Sequence, residues 1–419
     1  MNHDGSLIEG KAERLLPGGE AIVRSGETSV LVPNAVAGDL LTVQIRSRRR
    51  GAERGTITEI IQPSPQRVTA PCPVASSCGG CALQYLGCED QAELKSEWVS
   101  HAFKPLLQSD TTWIPASSVG KHFRRRLRWV VGLDEQGAFL GYFAPASHQP
   151  VRHSNCMVVT AELNALHVLF ENQLELGGLD SVQAVQLSDG IHIILEGQTC
   201  PDIHPEQMQL SLPLQWWWRN EGITRPLHKP VQQFHDILPA GEQHIRMTVG
   251  PDDFVQGQVE GNIEMIAQIQ QWCGPVHRIA DLFCGIGNLS LPLAKATGAT
   301  VFGAELNAAS VSAAAANAKR LGITARFSQA NLFEDFDMEP FIGADVLILD
   351  APRRGAKRIC SHIMHLLPAT IIMISCDPAA GARDGALLKQ HGYKLAALRA
   401  LDLFPFAGHV EAMSLWIKS

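Results

Sequence analysis

From about residue 250 to its end, the chain alternates short apolar runs with helix-forming ones, and this limits the fold more than any other feature. "VHRIADLFCG" precedes "NLSLPLAKATG", and "TVFGAEL" precedes the alanine-rich "NAASVSAAAANAKRLG", whose closing Gly322 suits a helix stop. "ARFSQ", "ADVLILD" and "ATIIMISC" supply further strands. Strands alternating with helices predict an α/β domain with a doubly wound, mostly parallel sheet. The last two strand-like runs, near "YKLAALRAL" and "VEAMSLWI", have no helix between them. They predict an antiparallel end to that sheet.

The 419 residues leave room for other domains upstream. Residues 1–65 read as short strands ("EAIVRS", "TSVLVP", "LLTVQI", "GTITEII") broken by Gly, Pro and Asn, the pattern of a small OB-like barrel. Residues 66–250 hold a cysteine-bearing Pro/Ser/Gly loop, an amphipathic stretch and a mixed α+β region. Trp216, Trp217 and Trp218 are expected in its core. No apolar run reaches membrane-spanning length, and the polar start "MNHDGSLIEG" is unlike a secretory signal. A cytoplasmic, monomeric protein with reduced thiols is expected, with no membrane partner. The net charge of −7 argues against a polyanion, but "IRSRRRGAERG" and "KHFRRRLRW" are dense basic runs. Local patches steer a polyanion better than net charge does.

"DLFCGIGN", Asp281 to Asn288, falls at the first strand-to-helix turn of the α/β region. Gly285 and Gly287 let the backbone approach a ligand closely. Glu305 ends the next strand, 24 residues after Asp281, where a carboxylate can accept both ribose hydroxyls of an adenosine. Ser290 stands where a third glycine would complete a dinucleotide fingerprint. An acid at 281 repels phosphate and suits a cation. S-adenosylmethionine, with a sulfonium, an ammonium and no phosphate, therefore fits better than NAD.

Cys72, Cys78 and Cys81 share one loop in C-x5-C-x2-C spacing, and tetrahedral ligation needs a fourth thiol, for which Cys88 and Cys156 are candidates. Spacing leaves zinc and an iron–sulfur cluster equally open.

Three features fall at the carboxyl edge of the predicted sheet: Asp350-Ala351-Pro352-Arg353, Cys376, and Glu411 in "FPFAGHVEAM". No aromatic follows Asp350 as it does in many enzymes that methylate base amino groups. Methylation at carbon needs a different device. A thiolate adding to C6 of uracil makes C5 nucleophilic, and a carboxylate then removes the C5 proton. Cys376 and Glu411 supply that pair if the fold brings them together.

These motifs, together with "DFVQGQ", Asn331 in "ANLFEDF", "DAPRRG", "SCDPAAGARD" and "GHVEAM", resemble the uracil-C5 RNA methyltransferase family. The likeness extends upstream. Residues 1–65 resemble a TRAM barrel, and "CPVASSCGGCALQYLGCEDQAELK" resembles the family's iron–sulfur segment, with Cys156 in "RHSNCMVV" matching its later ligand. The resemblance implies a TRAM domain (1–65), a central iron–sulfur domain (66–250) and a Rossmann-like class I methyltransferase domain (251–419). It implies Cys376 as nucleophile and Glu411 as base. Gln256, Phe283, Asn288, Glu305, Asn331 and Asp350 match cofactor or substrate positions, to which the glycine-turn reading adds Gly285. It implies S-adenosylmethionine and a [4Fe–4S] cluster on Cys72, Cys78, Cys81 and Cys156, leaving Cys88 spare. The implied partner is RNA, 23S ribosomal RNA before tRNA because of the basic barrel. Three positions depart from the family pattern: Asp377 for a usual asparagine, Ala351 for proline and Gln258 for asparagine. They keep open a catalytically degenerate RNA-binding protein. DNA cytosine-C5 methylation shares the thiol chemistry, but the barrel and cysteine segments argue against it.

Overall fold

The computed structural model describes residues 5–49, 51–117 and 120–419, so Arg50 of the first basic run lies outside the described residues. Strands β1 (Leu7–Leu15), β2 (Glu20–Ser25), β3 (Thr28–Pro33), β4 (Leu40–Arg49) and β5 (Ala52–Gln62) close a barrel in the order β1-β2-β3-β5-β4. Two-residue alternation turns Val23, Val30, Val32, Leu41 and Val43 inward, where they are fully buried. Helix α1 (Cys88–Phe103) follows the cysteine loop. Its Trp98, Val99 and Phe103 pack into the core of the C-terminal sheet, while Trp98 Nε1 donates to Leu15 O of the barrel at 3.0 Å. A short strand, β6 (Thr112–Ile114), comes next.

The middle of the chain, which periodicity leaves hard to parse, is a seven-stranded sheet. Its strands are β7 (Arg126–Asp134), β8 (Gly137–Phe143), β9 (Pro150–Arg152), β10 (Leu179–Gln186), β11 (Ile191–Gly197), β12 (Leu214–Asn220) and β13 (Ile223–Pro226), ordered β13-β12-β11-β10-β7-β8-β9. Helix α2 (Ala161–Gln173) buries Leu163, Leu166 and Phe170 among the core residues of this region. Trp216 is buried in the same core, as expected of that tryptophan run. A hairpin, β14 (Phe234–Ala240) and β15 (Gln243–Val249), follows.

The C-terminal region comprises α3 (Val259–Cys273), β16 (Arg278–Leu282), α4 (Ser290–Thr297), β17 (Thr300–Glu305), α5 (Ala308–Leu321), β18 (Ala325–Gln329), β19 (Val346–Ala351), α6 (Lys357–Ser361), α7 (Ile363–Leu366), β20 (Thr370–Ser375), α8 (Pro378–Gln390), β21 (Tyr393–Leu401) and β22 (Glu411–Lys418). The sheet order is β18-β17-β16-β19-β20-β22-β21-β6. β16 to β20 run parallel and β22 is antiparallel to both neighbours, as the missing final helix predicts. Val346–Leu349 and Ile371–Ile374 are buried throughout, which is why they read as unbroken apolar runs. Asn307 caps α5 by accepting from Ala309 N and Ser310 N, and Gly322 ends it at φ +67°.

The structure differs from simple alternation in two places. β18 and β19 are joined by turns and a 3₁₀ segment, Glu339–Phe341, because "EDFDMEP" is acidic and ends in Pro340, which falls in the first turn of that segment. The edge strand β6 arrives from far upstream and pairs in parallel with β21; a three-residue strand leaves no readable period. Among the described residues, no helix is long and apolar enough to cross a membrane.

Candidate active site

Strand order reverses between β16 and β19, and in open α/β sheets ligands bind at that point, beyond the carboxyl ends of the strands. Cys376 is the first residue after β20. Ser375 pairs with Ala412, so one further step of the same antiparallel register sets Cys376 across from Glu411. On its other side Glu411 pairs with Leu401 of β21, and Asp350 lies on β19 opposite Ile374 of β20. The sheet thus brings together the three groups that the sequence places at strand ends.

Their electrostatics are interlinked. Burial pushes the partly exposed Cys376 thiol up to about 11, with Glu411 adding to the rise and Arg353 opposing it. Burial pushes Glu411 up to about 8, helped by Asp350 and opposed by Arg353. Burial pushes Asp350 up to about 7. Asp281 also reaches about 7, raised by burial, eased by Ser290, and raised further by Asp350 and Glu305. Its Oδ2 is buried without a hydrogen-bond partner. Burial and mutual repulsion raise these carboxyl groups together, and a cation bound among them would favour their ionised forms.

The "DLFCGIGN" turn supports one side. Phe283 takes a left-handed φ of +70°, a strained conformation for a phenylalanine, and its ring faces Phe333 at 5.4 Å. Gly287 sits at φ +85°, and a Cβ there would lie 2.7 Å from Leu291 Cδ1. Glu305 accepts from Gly285 N at 3.3 Å and from Asn307 N at 3.0 Å, fixing the carboxylate at its strand end. Asn331 closes the turn after β18 by accepting from Phe333 N at 3.2 Å.

Asn288 exchanges two side-chain hydrogen bonds with Asn262 of α3, at 2.8 and 3.0 Å. Asn262 was not singled out from sequence; a buried amide on a largely apolar helix face was the available signal. The Gln256 carbonyl accepts from Arg125 Nε at 2.8 Å, and Gly257 O accepts from Arg125 N at 3.0 Å. Arg125 itself is buried and paired with Asp236 at 2.6 Å. Part of the second basic run is therefore a strut for the loop bearing Gln256. Gln258, one of the departures, is buried with neither amide atom partnered.

Asp377 has a physical account. Its Oδ1 accepts from Ala379 N at 2.9 Å and Ala380 N at 3.2 Å, capping α8. Aspartate and asparagine cap equally well, and a negative charge suits a helix N-terminus. The sequence leads one to expect this anion to raise the Cys376 thiol; burial and Glu411 lead that rise instead.

Cys72, Cys78, Cys81 and Cys156 line one cavity of about 60 Å³ together with Arg124, Tyr142 and His153, whereas Cys88 is not on its wall. Burial and the nearby Cys156 push Cys81 up to about 12. His153 is buried with both ring nitrogens unpartnered. Among the described residues, no three Cys, His, Asp or Glu side chains converge tightly enough for a single metal ion.

A family model described as tRNA (Uracil-5-)-methyltransferase matches residues 230–419. The 23S rRNA (uracil(1939)-C(5))-methyltransferase RlmD of Shewanella sp. (strain MR-4) is 33% identical over 95% of this chain and 93% of its own. The enzyme of the same name from Shewanella sp. (strain ANA-3) is 34% identical with the same coverage. Among solved structures, the Pyrococcus abyssi tRNA (uracil-54, C5)-methyltransferase in complex with S-adenosyl-L-homocysteine aligns over 98% of this chain and 100% of its own. The TM-score is 0.77 and the identity 20%. With 33–34% identity to the two Shewanella enzymes along 95% of its length, the chain belongs to the uracil-C5 RNA methyltransferase family.

Proposed function

We propose that this protein methylates C5 of a uridine in 23S ribosomal RNA, with S-adenosylmethionine as donor, through a covalent bond between Cys376 and C6. The observation that carries the reading is the register that sets Cys376 across from Glu411, beside Asp350, at the carboxyl edge of the sheet. The unpartnered Asp281 oxygen and the buried carboxyl groups around it suit a cationic donor, whose charge would favour their ionised forms. Asp281, Phe283, Gly285, Asn288, Glu305 and Asn331 would hold it, with Gln256 and Asp350 toward the uracil edge. Bound there, S-adenosylmethionine supplies a methyl group on a sulfonium.

The chain's own residues do the rest. The Cys376 thiolate forms a bond to C6, and the C5–C6 π electrons move onto the C4 oxygen as an enolate, which makes C5 nucleophilic. After C5 has gained its methyl group, the Glu411 carboxylate takes the C5 proton. The electrons released expel the thiolate and restore the C5–C6 double bond. Asp350 is placed to hydrogen-bond the uracil edge and orient the ring.

The domain division follows the same reading: 1–65 as the RNA-binding barrel, 66–250 as the cysteine-bearing domain and 251–419 as the methyltransferase. α1 and β6 strap the second to the third. Cys72, Cys78, Cys81 and Cys156 would hold a [4Fe–4S] cluster. One cavity walled by all four suits a cubane, which is wider than a single ion, and the unpaired His153 nitrogens leave polar groups in the same wall. Held there, the cluster would supply one-electron chemistry or a purely structural cross-link.

The barrel does not by itself select ribosomal RNA, because a tRNA enzyme aligns over nearly the whole chain. The full-length likeness to enzymes named for 23S rRNA favours it. Mapping 5-methyluridine in a strain lacking the gene decides between the two. Loss of one 23S site with tRNA unchanged is expected, and loss from tRNA alone would overturn the rRNA assignment. Protein purified from the complemented strain without oxygen should carry iron and sulfide that Cys81→Ser removes. Equal iron in both would remove the cluster.

Donor binding should depend on pH. Asp281 and Asp350 at about 7 and Glu411 at about 8 carry protons near neutrality, and a bound cation must displace them. Affinity for S-adenosylmethionine is therefore expected to rise from pH 6.5 to 8.5, with proton release in calorimetry at pH 7 in buffers of differing ionisation enthalpy. The donor-free fold runs the other way. Its carboxyl groups sit above their ordinary unfolded values, so the native state holds extra protons and loses stability as pH rises from the ordinary carboxylate range to 7 to 8, levelling off above. A flat affinity across that range would show that these carboxylates do not face the cation.

A further inference from the structure

We propose that the buried ion pair between Lys95 and Asp402 positions Glu411 for removal of the C5 proton, an inference that rests on the reading of Glu411 as the base. Asp402 directly follows Leu401, the residue paired with Glu411 across β21 and β22. Lys95, on α1, places Nζ 2.6 Å from Asp402 Oδ1 and 2.8 Å from Phe404 O, and both charged side chains are 0% exposed. One ammonium thus grips the segment that leaves β21 and returns to the site as residue 411. Asp402 Oδ1 also accepts from Phe404 N at 3.2 Å, so the turn is tied within itself.

The rest of this segment is anchored to α1 again, to the cysteine loop and to the barrel. Phe406 N donates to Gln91 Oε1 of α1 at 2.7 Å, Leu83 N of the cysteine loop donates to Phe406 O at 2.8 Å, and Gly18 N of the barrel donates to Gly408 O at 2.8 Å. Those anchors are backbone or neutral amide contacts, whereas Lys95 and Asp402 are charges taken wholly out of water. A well-packed apolar pair is often as stable as such an ion pair, so stability alone is a weak reason for it. What an apolar pair cannot do is fix a direction. The ammonium binds the carboxylate and the Phe404 carbonyl at once, which sets how the chain leaves β21 opposite the base. Lys95 acts through Asp402 and the chain and is a positioning residue.

The test uses the full chain with Lys95→Met alone, Lys95→Met with Asp402→Leu, and Glu411→Gln. The paired variant leaves neither charge buried alone and keeps the comparison meaningful if the single variant misfolds. Three readouts apply: multiple-turnover methyl transfer, the covalent complex with 5-fluorouridine RNA, and the covalent complex with ordinary uridine RNA. The paired variant is expected to form the fluorouridine complex at the wild-type rate, since Cys376 is untouched. Its kcat should fall by up to about 100-fold, as small misplacements of a reacting group can cost. KM for the donor should stay within about twofold, and the complex should accumulate on ordinary uridine RNA, as it does when the base is missing. A purely structural role would lower all three readouts together and would overturn the proposal, as would wild-type turnover with no accumulating complex. If Glu411→Gln itself turned over normally, the base assignment would fall and the proposal with it, and that result is read without reference to Lys95.

Discussion

Cys376→Ala is expected to lower methyl transfer by on the order of 10⁴-fold or more, the scale seen when a covalent nucleophile is removed. In the proposed route the sulfur enters the reaction as a bond to C6, so no neighbouring group could replace it by adjusting its position. Cys376→Ser should do little better, because an alkoxide is far harder to form than a thiolate and the site already disfavours the anion. Burial holds the thiol at about 11, Glu411 adds to this and Arg353 opposes it. Donor binding should survive in both variants, since the glycine turn lies between β16 and α4 and Glu305 ends β17, both away from Cys376 in the chain. The measurement is radiolabelled methyl transfer together with mass spectrometry of protein incubated with 5-fluorouridine RNA and donor. Wild-type protein should gain the mass of the RNA and Cys376→Ala should not. An adduct on Cys376→Ala, or turnover within tenfold of wild type, would dismiss the covalent route. Wild-type protein that forms no adduct and methylates no RNA would instead favour a degenerate RNA-binding protein. Asp377 no longer argues for that outcome, because its carboxylate caps α8.

The C-terminal fold was readable because its signals are local. Buried parallel strands must be apolar along their whole length, so "VLIL" and "IIMI" stand out in the sequence. The strand ends were readable for the same reason: Asp350 directly follows one such run, and only Ser375 separates Cys376 from the other. The register between Cys376 and Glu411 could only be hoped for, since it depends on how β22 enters the sheet between β20 and β21. The parts that stayed hidden are non-local. Arg125 sits in a run that looks like charged surface, yet it is buried against Asp236 from another hairpin. Lys95 and Asp402 are 307 residues apart, and each alone reads as a solvated charge. Asn262 of α3 answers Asn288 in the turn before α4, and no spacing rule links them. The cysteine loop carried a pattern but not a geometry, because a Pro/Gly-rich segment takes its shape from what it packs on.

Glu411→Gln is expected to slow turnover by about 10²–10⁴-fold, the contribution of a positioned general base. The loss should fall on one step. Glutamine has nearly the shape of glutamic acid and cannot accept the C5 proton, so the bond to C6 and methylation of C5 can proceed while elimination cannot. The enzyme should therefore stall as a methylated covalent complex on ordinary uridine RNA, visible as a slow-migrating band in denaturing gels. The pH dependence carries the same information. Burial and Asp350 hold Glu411 at about 8 in the donor-free protein, and the base works only after losing that proton. Wild-type kcat should rise with pH below this value, at a midpoint lowered by the bound cation, and the variant should lack that limb. Stability gives an independent check with the opposite sign. A neutral amide matches the protonated acid that the fold already holds near neutrality, so the variant should melt no lower than wild type at pH 7. Its advantage should grow as pH rises from the ordinary carboxylate range toward 8 and level off above, because over that window only the unfolded wild-type chain gains by ionising. A variant that turns over without stalling, or one that melts lower as pH rises, would mean that this carboxylate neither takes the proton nor sits in the buried cluster.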